Sequence, residues 1–205
     1  MTQATARQLL SRPERRAAIL KAAATAFAHK GFSATSMDDV AAEAGITKLI
    51  VYRHFESKED LYEAVLERVS TRLAEEIVTG LARDPRGRGV GVRTLLTVGR
   101  EDPDGFVLLW RHAAREPQFA DHAERFRAQA VGLSRTLLAR VDVAGDRKVR
   151  AWQAELVVSF LVDAVLHWLE EGTAKRDDEM VDLTTKALVA LVGSWRSDHP
   201  PHETD

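Results

Sequence analysis

The chain has no cysteine among its 205 residues, which excludes disulfide bonds and cysteine-based zinc sites. It also has no long apolar run, since no segment approaches the roughly 18 consecutive apolar residues of a membrane span. Its first residues show no basic segment followed by an apolar stretch of signal-peptide length. These absences predict a protein of the cytoplasm that does not enter a membrane.

Hydrophobic residues make up 45% of the chain, enough for a folded core, and the length fits one large domain or a small domain with a larger one. The net charge of −2 is unevenly spread. Residues 1–58 contain nine Lys/Arg and five Asp/Glu, a net charge of +4. The remaining residues contain 20 Lys/Arg and 26 Asp/Glu, a net charge of −6. The N-terminal part can therefore face a polyanion, although ordinary scatter of charge explains the same numbers.

Apolar residues recur at spacings of three and four along most of the chain, which predicts an all-α protein of about nine helices. Ser11 with Glu14, and Ser36 with Asp39, have the spacing of capping boxes and predict the starts of the first two helices. Gly31 is predicted to end the first helix in the left-handed conformation.

Gly45 is predicted to end the second helix, and Thr47 to cap a short third one; Ser57 is predicted to cap a fourth. The segment DPRGRGVG, residues 84–91, is predicted to be a plain loop, because no strand precedes it and no Lys-Ser/Thr pair follows as in a phosphate-binding loop. Further helices are predicted at about 92–98 (which also fits a short strand), 103–115, 117–140, 148–171 and 177–195.

The second and third helices, joined at a glycine turn, have the pattern of a helix-turn-helix. At 100° per residue from Val51, Phe55 falls at about 40°, Leu49 at about 160° and Ile50 at about 260°. Val51 and Phe55 are therefore predicted to be buried, and Leu49 and Ile50 to point away from them. Exposed Leu and Ile are expected to be covered, either by thymine methyl groups in a DNA major groove or by another part of the protein.

The stretch from Ser36 to Leu61, SMDDVAAEAGITKLIVYRHFESKEDL, resembles the signature of the TetR (tetracycline-repressor-like) family of bacterial transcription regulators. It shares the A-x-x-A-G-hydrophobic turn, a tyrosine near the end of the third helix, an aromatic residue three positions later and a Ser-Lys-Glu start to the fourth helix. The resemblance implies an all-helical homodimer that binds operator DNA. It divides the chain into a DNA-binding domain (1–58), an effector-binding and dimerisation domain (59–197) and a flexible tail (198–205).

By position, the resemblance implies base contacts from Lys48, Leu49 and Tyr52. Many family members have Gly or Pro followed by Thr or Ser where this chain has Leu49-Ile50. The chain therefore lacks the hydroxyl that the family pattern places at a phosphate at position 50, and a relative's operator sequence is not expected to carry over. The residues expected at the DNA are Ser36, Thr47, Lys48, Leu49, Ile50, Tyr52, Arg53, His54 and Lys58.

The 148–171 helix is apolar nearly all round, and the last helix repeats apolar residues at spacings of four, three and four. This pattern predicts a four-helix interface between two subunits, although a monomer core of two central helices fits it too. The residues expected in the interface are Val158, Val162, Val165, Leu166, Thr184, Leu188, Leu191 and Trp195.

A small, largely apolar effector is expected in the C-terminal domain, because ligand pockets pair apolar walls with few polar groups. No cofactor and no metal are expected. The residues expected at the ligand are Leu96, Phe106, Trp110, Arg111, Phe126, Trp152, Phe160, Asp163, His167 and Trp168.

The sequence thus predicts a repressor that leaves a palindromic operator when its ligand binds. A helical-bundle enzyme is the alternative, since a Glu/His pair in a cavity is compatible with catalysis. Against an enzyme, the chain has no G-x-S-x-G, no H-E-x-x-H and no cysteine nucleophile. A protein that coats DNA without sequence preference fits less well, because +4 is a weak charge for that role.

Overall fold

The computed structural model describes residues 10–196, which are helical with no strand in this range and one isolated bridge between Val143 and Arg196. A π-helical turn follows α6, and short 3₁₀ turns lie at 113–115 and 174–176. The predicted all-α class is confirmed. The helices are α1 (Arg12–Lys30), α2 (Met37–Glu43), α3 (Lys48–Tyr52), α4 (Lys58–Arg83), α5 (Val90–Glu101), α6 (Pro103–Val107), α7 (Ala120–Leu138), α8 (Arg147–Glu171) and α9 (Asp177–Gly193).

The two predicted capping boxes are present at the starts of α1 and α2. Ser36 Oγ accepts from the Asp39 backbone N–H at 3.2 Å, and the Asp39 carboxylate accepts from the Ser36 N–H at 2.8 Å. The prediction for α3 is wrong in one respect. Thr47 occupies the N-cap position, but its side chain makes no capping hydrogen bond within the described residues.

The end of α1 also differs from the prediction. The Gly31 N–H closes the helix on the Phe27 carbonyl at 2.8 Å. Its φ of 79° is positive as expected, but its ψ of 163° is extended rather than left-handed helical. The extended ψ leads the chain into a turn in which Phe32 is buried with its ring stacked 5.9 Å from that of Phe27.

The described residues form two compact units, one reaching to Arg68 and one beginning at Val69, so that the boundary lies inside α4. In the first unit α2 packs against both α1 and α3. Tyr62 lies edge-on to Phe27 and Phe32, with ring centroids 5.0 Å and 5.3 Å away. The main buried side chains of this unit are Ile19, Leu20, Phe27, Val40, Val51, Phe55, Leu61, Tyr62 and Val65.

In the second unit α8 packs against α5, α7 and α9. This explains why its sequence is apolar nearly all round. Arg100 pairs with Asp177 at 2.9 Å, and Asp177 also accepts a hydrogen bond from Trp168 Nε1 at 2.7 Å, which ties the start of α9 to α5 and α8. None of the helices between residues 10 and 196 is long and apolar enough to cross a membrane.

Some predicted helix limits need correction. The 103–115 segment changes from α-helix to a π-helical turn at Leu108 and a 3₁₀ turn at Ala113. Helix α7 begins at Ala120 rather than Pro117, because residues 116–119 form a turn that buries Phe119. Helix α9 ends at Gly193. The predicted tail, 198–205, lies outside the described residues.

Candidate nucleic-acid interface and ligand cavity

Helix α3 is held by two buried side chains and presents two exposed ones. Val51 is 0% exposed and Phe55 1%, whereas Leu49 is 63% and Tyr52 46% exposed. Ile50 is half-buried. Gly45, with φ of +63°, makes the turn between α2 and α3. The helical periodicity therefore predicted the orientation of Leu49 correctly and overestimated the exposure of Ile50.

Lys48 is also at this surface, where its Nζ lies 2.7 Å from the Asp38 carboxylate of α2. The hydrogen bond to Asp38 raises the pKa of Lys48. The ammonium lies 6.0 Å from the centroid of the Tyr52 ring. The lysine is thus a charged group whose present partner is a surface carboxylate.

His54 lies beside a group of arginines at the start of α1. Partial burial, followed by the charges of Arg12, Arg16 and Arg15, lowers the pKa of His54. Arg16 also lies over the Phe55 ring, 4.9 Å from its centroid. Sequence reasoning did not assign these arginines to the surface, although their spacing of three and four in SRPERR places them on one helix face.

Two expected DNA contacts already have partners in the first unit. The Lys58 ammonium donates to the carbonyls of Phe32 and Ser33 at 2.9 Å and 3.4 Å, and it lies 4.3 Å from the Phe32 ring centroid. Ser36 Oγ donates to Asp39 at 2.6 Å. Both groups hold turns together, so neither is a free phosphate ligand here. Thr47 and Arg53 are exposed.

The second unit contains a partly open cavity of about 560 Å³ between α4, α5, α7, α8 and α9. Its lining contains no Asp, Glu, Lys or His. Three polar atoms of lining residues are buried without a hydrogen-bond partner in the described chain: Trp110 Nε1, Ser134 Oγ and Thr185 Oγ1. The apolar walls include Leu73, Ile77, Leu95, Trp110, Phe126, Leu133, Leu137, Val157, Leu161, Leu188 and Val192.

Buried polar atoms in proteins nearly all have partners, so unpaired ones in a cavity wall are suited to a ligand's polar atoms. The cavity's size lies within the range of small-molecule sites, about 300–1,000 Å³. Among the described residues no group of three or more His, Asp or Glu could hold a metal ion.

Residues 19–65 match the family model described as bacterial regulatory proteins, tetR family. An uncharacterized HTH-type transcriptional regulator of Mycobacterium tuberculosis is 31% identical over 167 residues, which cover 77% of this chain and 69% of that protein. This chain belongs to the TetR family. The HTH-type transcriptional activator FasR of Mycolicibacterium smegmatis is 29% identical over 185 residues, covering 86% of this chain and 82% of FasR. As a TetR-family member with such relatives, it is a DNA-binding transcriptional regulator and not an enzyme.

Solved structures agree on the fold. A TetR-like regulator from Rhodococcus sp. RHA1 superposes with a TM-score of 0.72 at 24% identity, covering 90% of this chain and 100% of that one. AibR, solved in complex with isovaleryl coenzyme A and operator DNA, superposes with a TM-score of 0.65 at 18% identity, covering 85% and 97%.

Of the ten residues expected at the ligand of this TetR-family protein, two line the cavity, Trp110 and Phe126. Leu96 and Phe106 are buried away from it, and Trp152 is 57% exposed beside Trp195. The other five also lie outside the lining. Arg111 pairs with Glu170, His167 lies 3.9 Å from Glu170, and Trp168 donates to Asp177. Asp163 is exposed and Phe160 is half-buried.

The residues expected in the dimer interface fall into two groups by burial in the single chain. Val158, Val162, Val165 and Leu166 are buried inside their own unit, because α8 is covered by its neighbours. Thr184 is buried, and Leu188, Leu191 and Trp195 are half-buried. The exposed apolar face of α9 instead contains Leu183, Ala187 and Ala190, which is the predicted stripe rotated by one residue, about 100°.

Proposed function

We propose that this regulator is a homodimeric repressor of the cytoplasm that binds a palindromic operator through α3 and leaves it when a small, largely apolar ligand fills the cavity. The orientation of α3 carries the proposal. Val51 and Phe55 anchor the helix so that Lys48, Leu49 and Tyr52 face outward. A recognition helix in a helix-turn-helix presents such residues to the major groove.

The chemistry of the exposed residues suits the two kinds of DNA contact. Leu49 provides an apolar surface for a thymine methyl group, with Ile50 at its edge, and Lys48 provides a donor for guanine. Tyr52, which the resemblance places at a base edge, can also donate to a phosphate. His54, Thr47 and Arg53 are suited to phosphates, which position the protein without reading sequence. The arginines at the start of α1 extend this cationic surface, while Ser36 and Lys58 support it by holding turns.

A dimer is supported by the exposed apolar face of α9. Leu183 is 58% exposed, with Ala187 and Ala190 on the same face. Small residues allow helices to approach closely, and an apolar face of this kind marks an interaction surface. Two copies are also needed to place two recognition helices about 34–36 Å apart, or a multiple of this, on successive groove faces.

Release by a ligand is supported by the cavity and by α4. Leu73, Ala74 and Ile77 of α4 line the cavity, and the same continuous helix begins at Lys58 in the DNA-binding unit. The structural neighbour AibR was solved in complex with isovaleryl coenzyme A and operator DNA, so a protein of this fold can hold a small molecule as well as DNA. A ligand that weakens operator binding by some factor must itself be bound more weakly, by that factor, when the operator is present.

An activator is the second candidate, because the relative FasR is named a transcriptional activator. The two roles share the DNA surface and differ in their effect on transcription. Deleting the gene raises expression of the bound genes if the protein is a repressor and lowers it if the protein is an activator.

A genome-wide binding footprint would supply the operator, and binding to that fragment and to random DNA would be measured at one stated salt concentration. Lys48→Ala and Tyr52→Ala are expected to lose most of the specificity ratio, about 1–3 kcal/mol for each lost base contact. Lys21→Ala, an exposed lysine of α1, is the matched control. If both α3 variants retain wild-type specificity, α3 does not read the operator.

A further inference from the structure

The cavity has charges of one sign only. Its lining includes Arg86, Arg88 and Arg196 and no carboxylate. All three arginines are exposed, and none of their guanidinium groups pairs with a carboxylate among residues 10–196, although the Asp84 carboxylate accepts from the Arg86 backbone N–H at 3.0 Å. Other arginines of the same unit are held differently, for example Arg72 by Glu101 at 2.8 Å and Arg93 by Asp178 at 2.9 Å. Within residues 10–196, the guanidinium groups of the cavity therefore have no ion-pair partner.

Residues 140–143 contact both parts of the chain that carry the three arginines. Arg86 and Arg88 belong to the loop after α4, and Arg140 holds that loop through a hydrogen bond from its guanidinium to the Pro85 carbonyl at 2.9 Å. Three residues after Arg140, Val143 forms its bridge with Arg196. The segment 140–143 thus lies between the loop and Arg196, which places the positive charge at one end of the cavity.

A neighbouring pocket extends this cationic end. It shares Leu138 and Val141 with the cavity. Its lining carries five basic and two acidic residues, and one of the acids, Asp146, is already used to cap α8 by accepting from the backbone of Lys148 and Val149 at 2.8 Å and 2.9 Å. The five basic residues are Arg135, Arg140, Arg147, Lys148 and Arg150.

We infer that the ligand of this cavity is an amphiphile with an apolar tail and an anionic head group, with the tail between the helices and the head group at Arg86, Arg88 and Arg196. Apolar walls stabilise a tail by removing it from water. An anion beside such walls needs a paired cation, and guanidinium groups bind carboxylate or phosphate oxygens in a fork geometry. The inference rests on the proposed role of the cavity as the effector site and names the class of that effector.

The test is direct binding to the full-length chain by titration calorimetry, without DNA. Dodecanoate provides a carboxylate head, dodecanoyl coenzyme A a larger phosphorylated head, dodecanol a neutral head, and acetate a head without a tail. At least one of the two anionic dodecyl compounds is expected to bind roughly tenfold or more tightly than dodecanol, and acetate is not expected to bind. A preference for the coenzyme A thioester over dodecanoate would assign the head group to the phosphates and the neighbouring pocket.

The charge dependence is tested with Arg86→Gln combined with Arg88→Gln. The double variant is expected to weaken the anionic ligand by roughly tenfold to a hundredfold. It is expected to leave dodecanol unchanged, which also shows that the cavity remains folded. Arg115→Gln combined with Arg125→Gln removes the same charge from exposed positions outside the cavity lining, and it is expected to have no effect.

Equal binding of dodecanol and the anionic compounds, an unchanged affinity in the Arg86/Arg88 variant, or no binding of any dodecyl compound would each overturn the inference. A separate measurement of operator release distinguishes this from failure of the proposed function. An anionic ligand that binds through the arginines but leaves DNA affinity unchanged would support the ligand class and contradict ligand-dependent release.

Discussion

The Lys48 ammonium lies 2.7 Å from the Asp38 carboxylate, so α2 and α3 are joined by an ion pair at the surface proposed to face DNA. Both side chains are about half or more exposed, at 48% and 64%, so water and salt screen the pair. Lys48 can therefore exchange Asp38 for a base or a phosphate at small cost. The Asp38 carboxylate, however, would then remain near the DNA, where its negative charge opposes binding.

We expect Asp38→Asn to strengthen operator binding by roughly two- to tenfold, because it frees Lys48 and removes a negative charge that faces phosphates. The dissociation constant would be measured by fluorescence anisotropy at several salt concentrations. Glu43→Gln, an exposed acid of the same helix, is the control for loss of charge alone. Weaker binding by Asp38→Asn would mean instead that the ion pair holds Lys48 in its binding position.

Leu49 and Val51 are two residues apart, but truncating Leu49 is expected to change DNA discrimination, whereas truncating Val51 is expected to change stability. Leu49→Ala should leave stability within about 0.5 kcal/mol, because the side chain is 63% exposed, and should relax discrimination at one base pair. Val51→Ala should destabilise the first unit by roughly 1–3 kcal/mol, since Val51 is 0% exposed. Urea denaturation and binding to operators with single base-pair changes would measure both. A destabilised Leu49→Ala would mean that Leu49 packs against the protein.

Local signals were read correctly from the sequence. A capping box such as Ser36 with Asp39 depends on residues three apart, and the orientation of Leu49 depends on helical geometry close to Val51. Such features are set within one or two turns of chain. They were therefore available without knowledge of the tertiary contacts.

The locations of residues that depend on tertiary packing could not be predicted from the sequence in the same way. Helix α8 is apolar nearly all round, so no polar face shows which side meets which neighbour. The sequence pattern therefore did not reveal that Val162 lines the cavity. Nor did it reveal that Trp152, expected at the ligand, is 57% exposed. The partner of Lys58 is a carbonyl from residue 32, which no side-chain pattern reveals.

A pH dependence is expected from His54. Burial and the nearby arginines lower its pKa in the folded state, so the unfolded chain, with a histidine pKa of about 6.5, binds more protons. This contribution to stability is fully present above pH about 6.5 and is lost as the pH falls through the lower folded value. Urea denaturation at neutral pH and at pH about 5.5 should show a smaller loss of unfolding free energy in His54→Gln than in the wild type.

Asp39 is expected to affect stability in a separate, more acidic pH range. The hydrogen bonds from Lys30 and Ser36 lower its pKa, so its contribution is present above the unfolded value of about 3.9 and is lost below it. A loss between neutral pH and pH about 5.5 therefore does not come from Asp39. An identical loss in the wild type and in His54→Gln would assign the effect to another group.

Two glycines of the second unit are expected to respond to alanine with opposite signs. Gly89 has φ of +69°, and a Cβ there would lie 2.8 Å from Thr185 Oγ1. Gly89→Ala should therefore destabilise by at least about 1–2 kcal/mol. Gly132 lies within α7 with no atom within 4 Å of the added carbon, so Gly132→Ala should stabilise by about 0.5–1 kcal/mol. Urea denaturation measures both, and a neutral Gly89→Ala would show that the loop before α5 shifts freely.

The exposed face of α9 is expected to form the contact between the two subunits of the homodimer. Leu183→Glu introduces a charge at the centre of the proposed helix contact and should weaken the homodimer by roughly tenfold or more, measured by analytical ultracentrifugation over a range of protein concentrations. Val78→Glu is the matched control, because Val78 is a similarly exposed apolar residue, at 67%, on α4. Since operator binding needs two recognition helices, Leu183→Glu should also weaken it. A wild-type dimer in Leu183→Glu together with a monomer in Val78→Glu would place the interface on α4 rather than on α9.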